Sequence, residues 1–182
     1  MTASWTEGSF AGLPLTHTVM KIPYRVPARI NARQELLKTY EVDLPIEGGW
    51  GYEIDDAVVI NKGHHSVNPR LPFHGVSVER TFVLHRLFVE LISMRPREDD
   101  YSGIKWKPRS QRLIQKDGKS YDQLHCDASA LRTQDFEALK AIWTGQNGHG
   151  SPNFDEEAHM RMHEQRLVHF ECEYWFDVTS FI

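Results

Sequence analysis

The chain has 182 residues, of which 40% are hydrophobic and 25% charged, with a formal net charge of −4. That balance excludes disordered and collagen-like classes, fits one domain, and supplies enough large apolar side chains for a sizeable core. It lacks the basic stripe with interleaved aromatics of a dedicated nucleic-acid binder, so no nucleic-acid partner is expected.

No stretch approaches the roughly 18 consecutive apolar residues of a membrane span, so no membrane partner is expected either. Met1–Met20 lacks the basic-then-apolar order of a signal peptide. Cys126 and Cys172 share no short spacing. Reduced thiols in a cytoplasmic setting are therefore the expectation.

Residues 1–15 are small and polar and read as a flexible lead-in to a single domain over 16–182. Thr16–Ile30 is β-branched but broken by Pro23 and Pro27, which suits an edge strand or two short extended pieces. Asn31 is placed to cap a helix through Tyr40 with Leu36 and Leu37 on its buried side. Val42–Ile46 reads as extended, because Pro45 disfavours helix before it.

Gly48, Gly49, Trp50, Gly51 and Tyr52 form the most unusual local string: a tight glycine turn with two aromatics that need packing. Asp55 and Asp56 lead into a buried strand ending at Ile60, and Asn61–Gly75 is a long loop. From Gly75 the alternation of Val76 and Val78 suggests a strand start. It gives way to helical spacing over Arg80–Ser93.

The second half is more regular. Ile104–Gln115 and Ser120–Leu131 flank Asp117-Gly118 as a hairpin, with Pro108 marking an edge or a bulge. Thr133 caps a helix to Gly145 that presents Phe136, Leu139, Ile142 and Trp143 to the core. Asn153 and Glu156 have capping-box spacing for a further helix through Arg166. Val168–Val178 is the strongest strand, with Val168, Phe170, Cys172, Tyr174, Phe176 and Val178 on one face. The expected fold is α+β: a single domain with a mainly antiparallel sheet. Its C-terminal hairpin–helix–helix–strand unit packs two to four helices on one face.

No complete catalytic signature is present. His159 and His163, four apart on a helix, share a face and can reach one metal ion with Glu156 a turn earlier. His64 and His65, near Asp55 and Asp56, form a second candidate centre. Both patterns serve equally as solvated polar surface. His125-Cys126-Asp127 offers a nucleophile, but in a strand the thiol points away from both neighbours. The glycine string lacks the residues of a phosphate cradle.

What remains is the second face of the last strand, with His169, Glu171, Glu173, Trp175 and Asp177. It is acidic and aromatic, and suits a basic protein partner. Trp50 and Tyr52 of the glycine string are candidate additions to that surface. The expected function is a non-enzymatic protein-binding domain of immunity, inhibitor or adaptor type, with no cofactor. Its alternatives are a small metal-dependent hydrolase built on a histidine pair with a divalent ion, and a structural or assembly accessory.

Overall fold

The computed structural model describes residues 19–22 and 24–182; the lead-in expected over residues 1–15 lies outside them. In chain order the elements are β1 (Val19–Lys21), α1 (Ala32–Tyr40), β2 (Ile46–Gly48), a 3-10 turn (Ile54–Asp56) and β3 (Val58–Ile60). Then come α2 (Gly75–Phe88), continued by a π turn (Val89–Ser93), β4 (Tyr101–Lys116) and β5 (Lys119–Arg132). The last three are α3 (Thr133–Gly145), α4 (Glu156–Arg166) and β6 (Val168–Asp177).

The six described strands make one sheet in the order β2-β3-β6-β5-β4. Pairing is antiparallel for β2–β3, β4–β5 and β5–β6. On its other edge β6 is shared: β1 runs parallel to it at His169–Glu171, and β3 parallel at Phe176–Asp177. Between those two pairings the edge of β6 has no strand beside it among the described residues.

Alternation along β6 fixes the core. Phe170, Cys172, Tyr174 and Phe176 are buried and meet Ala128, Cys126 and Leu124 of β5 on the same face. Helix α2 lays Phe82, Val83 and Leu87 on that face, with the Phe82 ring 5.9 Å from Phe176. Helix α1 adds Leu36. Helices α3 and α4 pack on each other beside the end of the hairpin, around Leu131 and Leu139.

Several local expectations are corrected. Helix α2 starts at Gly75, not Arg80: the Val76–Val78 alternation is overridden because Val78 and Phe82 pack on the core as one helical stripe. Leu37 is 46% exposed, and Leu36 alone of that pair is buried. Trp143 is also exposed, leaving Leu139 as the one buried residue of α3. The cap of α4 is Asp155, which accepts from the Ala158 amide at 2.8 Å, in place of Asn153. Thr133 opens α3 but spends its hydroxyl on Ser102 at 2.9 Å, not on the helix end.

Two glycines separate steric demand from mere flexibility. Gly51 has φ +73°, and a Cβ there would meet the Trp175 carbonyl oxygen at 2.8 Å. Gly145, at the end of α3, has open space around it and no positive φ. Gly51→Ala should therefore cost about 1–3 kcal/mol. Gly145→Ala should leave stability equal or raise it by roughly 0.4–1 kcal/mol. Urea unfolding of the two variants side by side checks the pair.

Candidate functional site

The unpaired stretch of β6, at Cys172–Trp175, is closed by the glycine string and by one arginine. The Trp175 amide donates to the Gly51 carbonyl at 3.0 Å, a strand-like bond from a loop. The loop is held by Asp56, whose carboxylate accepts from the amides of Trp50 and Tyr52 at 3.2 and 3.3 Å.

Arg86 of α2 reaches through the same opening. Its Nη1 donates to the carbonyls of Trp50 (2.9 Å), Gly51 (3.2 Å) and Glu173 (3.4 Å), and its Nε to Glu90 Oε1 at 2.9 Å. The guanidinium carbon lies 3.8 Å from the Tyr52 ring centre and 4.3 Å from that of Tyr174. Burial works against charge on Arg86, but Glu90 and the two phenols outweigh it, and its pKa stands above the ordinary value. Tyr52 donates its hydroxyl to Glu90 Oε1 at 2.6 Å and accepts from the Val26 amide at 2.7 Å. Burial, then Glu90, raises its pKa.

Outside this plug lies a cleft of about 290 Å³ lined by Lys21, Arg25, Tyr52, Arg109, His125 and Glu173 among others. It opens onto the polar face of the sheet. On β6 that face carries His169, Glu171, Glu173, Trp175 and Asp177, with His125 and Asp127 of β5 beside Glu173 and Glu171. On β4 it carries Lys105, Lys107, Arg112 and Lys116, paired in register with Ser129, Asp127, Gln123 and Lys119 of β5. Arg109, at a bulge, bridges the two rows: its Nη1 is 2.6 Å from Glu171 and 3.5 Å from Asp127. From Tyr101 to Lys116 there are five cations and no carboxylate, so the face is bipolar.

Glu171 is exposed, and the hydrogen bond and charge of Arg109 hold its pKa down. Glu173 accepts from Gln123 at 2.7 Å and from the Trp175 indole at 2.9 Å, which pins Trp175 half-buried on the face. Asp177 is buried with its Oδ2 2.9 Å from Lys119. Burial raises its pKa, yet bonds from Thr179 and Lys119 prevail and lower it. Tyr52 belongs to the plug. Trp50 is corrected: at 1% exposure, with its indole on the Ile30 carbonyl at 2.8 Å, it is core and offers no surface.

The two metal candidates do not assemble. Among the described residues no three His, Cys, Asp or Glu side chains converge. His159 has a ring nitrogen 3.1 Å from the Leu139 carbonyl, and His163 lines an apolar hollow with Trp143 and Phe136. Glu156 turns to His149 at 3.2 Å. The rings of His64 and His65 lie 4.1 Å apart, tilted by 40°, and His64 engages Ser66. Asp55 is exposed and Asp56 is committed to the glycine loop. Cys126 and Cys172 are free, cross-strand neighbours, and burial pushes each thiol up to about 12.

Arg86 and Glu90 escape the sequence reading. The signal that marks them is a charged pair at i, i+4 inside a run from Phe82 to Leu91 whose other residues are apolar except His85. The cations of β4 were equally visible, as a strand without a single acid. Comparison with protein families, curated proteins and solved structures finds no match.

A further buried carboxyl, Glu79, lies on α2. Its Oε2 accepts from Gln111 at 3.3 Å, and the same amide bonds Asp122 at 2.8 Å. Burial, then Asp122, raises its pKa to about 8.

Two outcomes follow from these buried charges. Arg86→Met leaves Glu90 uncompensated and should cost about 3–5 kcal/mol, part of it recovered when Glu90 is also made apolar. Urea unfolding of the single and double variants reads this. Glu79 holds its proton more tightly folded than unfolded, so its contribution is full at low pH. That contribution declines as pH rises from the unfolded value near 4.5 to about 8. The urea midpoint of the wild type should accordingly fall over this window, by more than that of Glu79→Gln.

Proposed function

We infer that the chain is a non-enzymatic protein-binding domain of the immunity, inhibitor or adaptor type, whose recognition surface is the polar face of β4–β5–β6. The observation that carries this reading is the segregation of charge on that face. Glu171 and Glu173 with Trp175 form one row, and Lys105, Lys107, Arg109 and Arg112 form another two strands away. A bipolar pattern of this kind steers and orients a partner of complementary pattern, with basic side chains set against β6.

Trp175 supplies the aromatic anchor. Its indole is tied to Glu173, so the ring is ordered before any partner arrives and little entropy remains to be lost on binding. Cys126 and Cys172 are both buried with raised pKa values, so neither thiol is poised to attack a substrate. Free cysteines facing each other across β5 and β6 fit action in the reducing cytoplasm.

The test is to capture partners from a lysate with the wild type and with Glu171→Lys, Glu173→Lys and Trp175→Ala. Any protein lost selectively is then purified and measured by calorimetry. Each variant should weaken that partner at least tenfold, about 1.4 kcal/mol. Equal capture and affinity for all three variants sinks the assignment of this face.

A further inference from the structure

Strand β4 ends the sheet, and β5 is its single strand neighbour among the described residues. Every residue over Lys107–Leu113 is exposed, so the outer backbone N–H and C=O groups of this stretch face water. Edges of this kind are normally blunted by proline, by bulges and by charge. In β4 the first two devices are confined to the first half, where the register with β5 breaks between Ser102 and Lys105 and again between Pro108 and Ser110. From Ser110 to Lys116 the register runs unbroken, with neither Pro nor Gly. Leu113 stands in its middle, 52% exposed.

We propose that the Ser110–Lys116 edge of β4 accepts an acidic, extended segment of another protein as an added strand. The edge supplies a row of unpaired main-chain donors and acceptors, which is what strand addition uses for affinity. The charge supplies the selectivity. Arg112 and Lys116 flank Leu113, Lys105 and Lys107 lie upstream, and β4 has no carboxylate of its own. Acids on an incoming strand would sit directly across from these cations, a favourable cross-strand pairing.

Other occupants fit less well. A second copy adding through its own β4 would set five cations against five, which cross-strand repulsion opposes. A single-stranded nucleic acid would meet the cations but needs stacking platforms, and the one aromatic between Gly103 and Lys116 is Trp106, half-buried. This inference concerns the backbone edge and goes beyond the face reading above.

The experiment uses the full chain and a fluorescein-labelled octapeptide of alternating Glu and Val. Its controls are the Lys-for-Glu peptide, the same peptide N-methylated at alternate residues, and oligouridylate. Binding is read by anisotropy, and its location by amide hydrogen exchange. The acidic peptide should bind and slow exchange within residues 110–116, with both control peptides at least tenfold weaker. Arg112→Glu with Lys116→Glu should lose at least tenfold without a change in Tm, and Lys38→Glu, exposed on α1, should bind the peptide as the wild type does.

Unchanged exchange at 110–116 under the highest peptide concentration overturns the proposal. So does equal binding of the N-methylated peptide, which would reduce the effect to charge, or tighter binding of oligouridylate. A dimer by light scattering whose 110–116 amides are already protected would assign the edge to a second copy instead.

Discussion

The guanidinium of Arg86 lies between the rings of Tyr52 and Tyr174, with the Glu90 carboxylate on one side and the carbonyls of Trp50, Gly51 and Glu173 on the other. A cation taken this far from water forfeits several kcal/mol of hydration and is tolerated only where the protein replaces the lost contacts. That requirement sets the positions of much else. The loop carbonyls must point inward, which places Gly51 against β6 and needs Asp56 to gather the loop amides. Trp50 is then drawn under the loop onto the Ile30 carbonyl, and the chain after β1 is fastened through the Val26 amide to Tyr52. A sheet with a break in its central edge is held shut by one side chain from a helix.

The same arrangement divides the molecule into a side that is fixed and a side that is offered. Behind the sheet, α1 and α2 bury the even-numbered side chains of β6. In front, the odd-numbered ones are left to polar chemistry. Carboxylates there are already engaged, Glu171 by Arg109 and Glu173 by Gln123 and Trp175. Their positions are thereby narrowed, and the charge pattern has a defined geometry, not that of a loose acidic surface. Position is what an interface needs from such groups, because ion pairs at a wet rim add little energy by themselves.

The parts of the fold that could be read from residues were those with a strict period. Both faces of β6, the Asp117-Gly118 hairpin and the Asn31 cap follow from alternation, turn chemistry and a side chain that accepts the Gln34 amide. What escaped reading was set by distant contacts. Two short parallel pairings on β6 cannot be inferred from three-residue strands, and the start of α2 was hidden because valines at i and i+2 suit a strand while Val78 in fact pairs with Phe82. Trp50 looked like a surface aromatic in a glycine loop because nothing local says that Arg86 will pull that loop inward. The charged pair in an apolar helix was legible, yet its meaning depends on which backbone it meets.

Placing β6 at the centre of the sheet also orders events in time. It touches β1, β3 and β5, and among the described strands it is the last to be synthesised. The earlier strands can form the β2–β3 and β4–β5 hairpins on their own, but neither hairpin has a neighbour until residues 168–177 have emerged. Closure of the sheet is then a late, long-range event joining segments more than a hundred residues apart, the kind of topology that folds slowly and leaves edges waiting. For a nascent chain, the edge left waiting on the β4–β5 hairpin is that of β5, which β6 alone covers among the described strands.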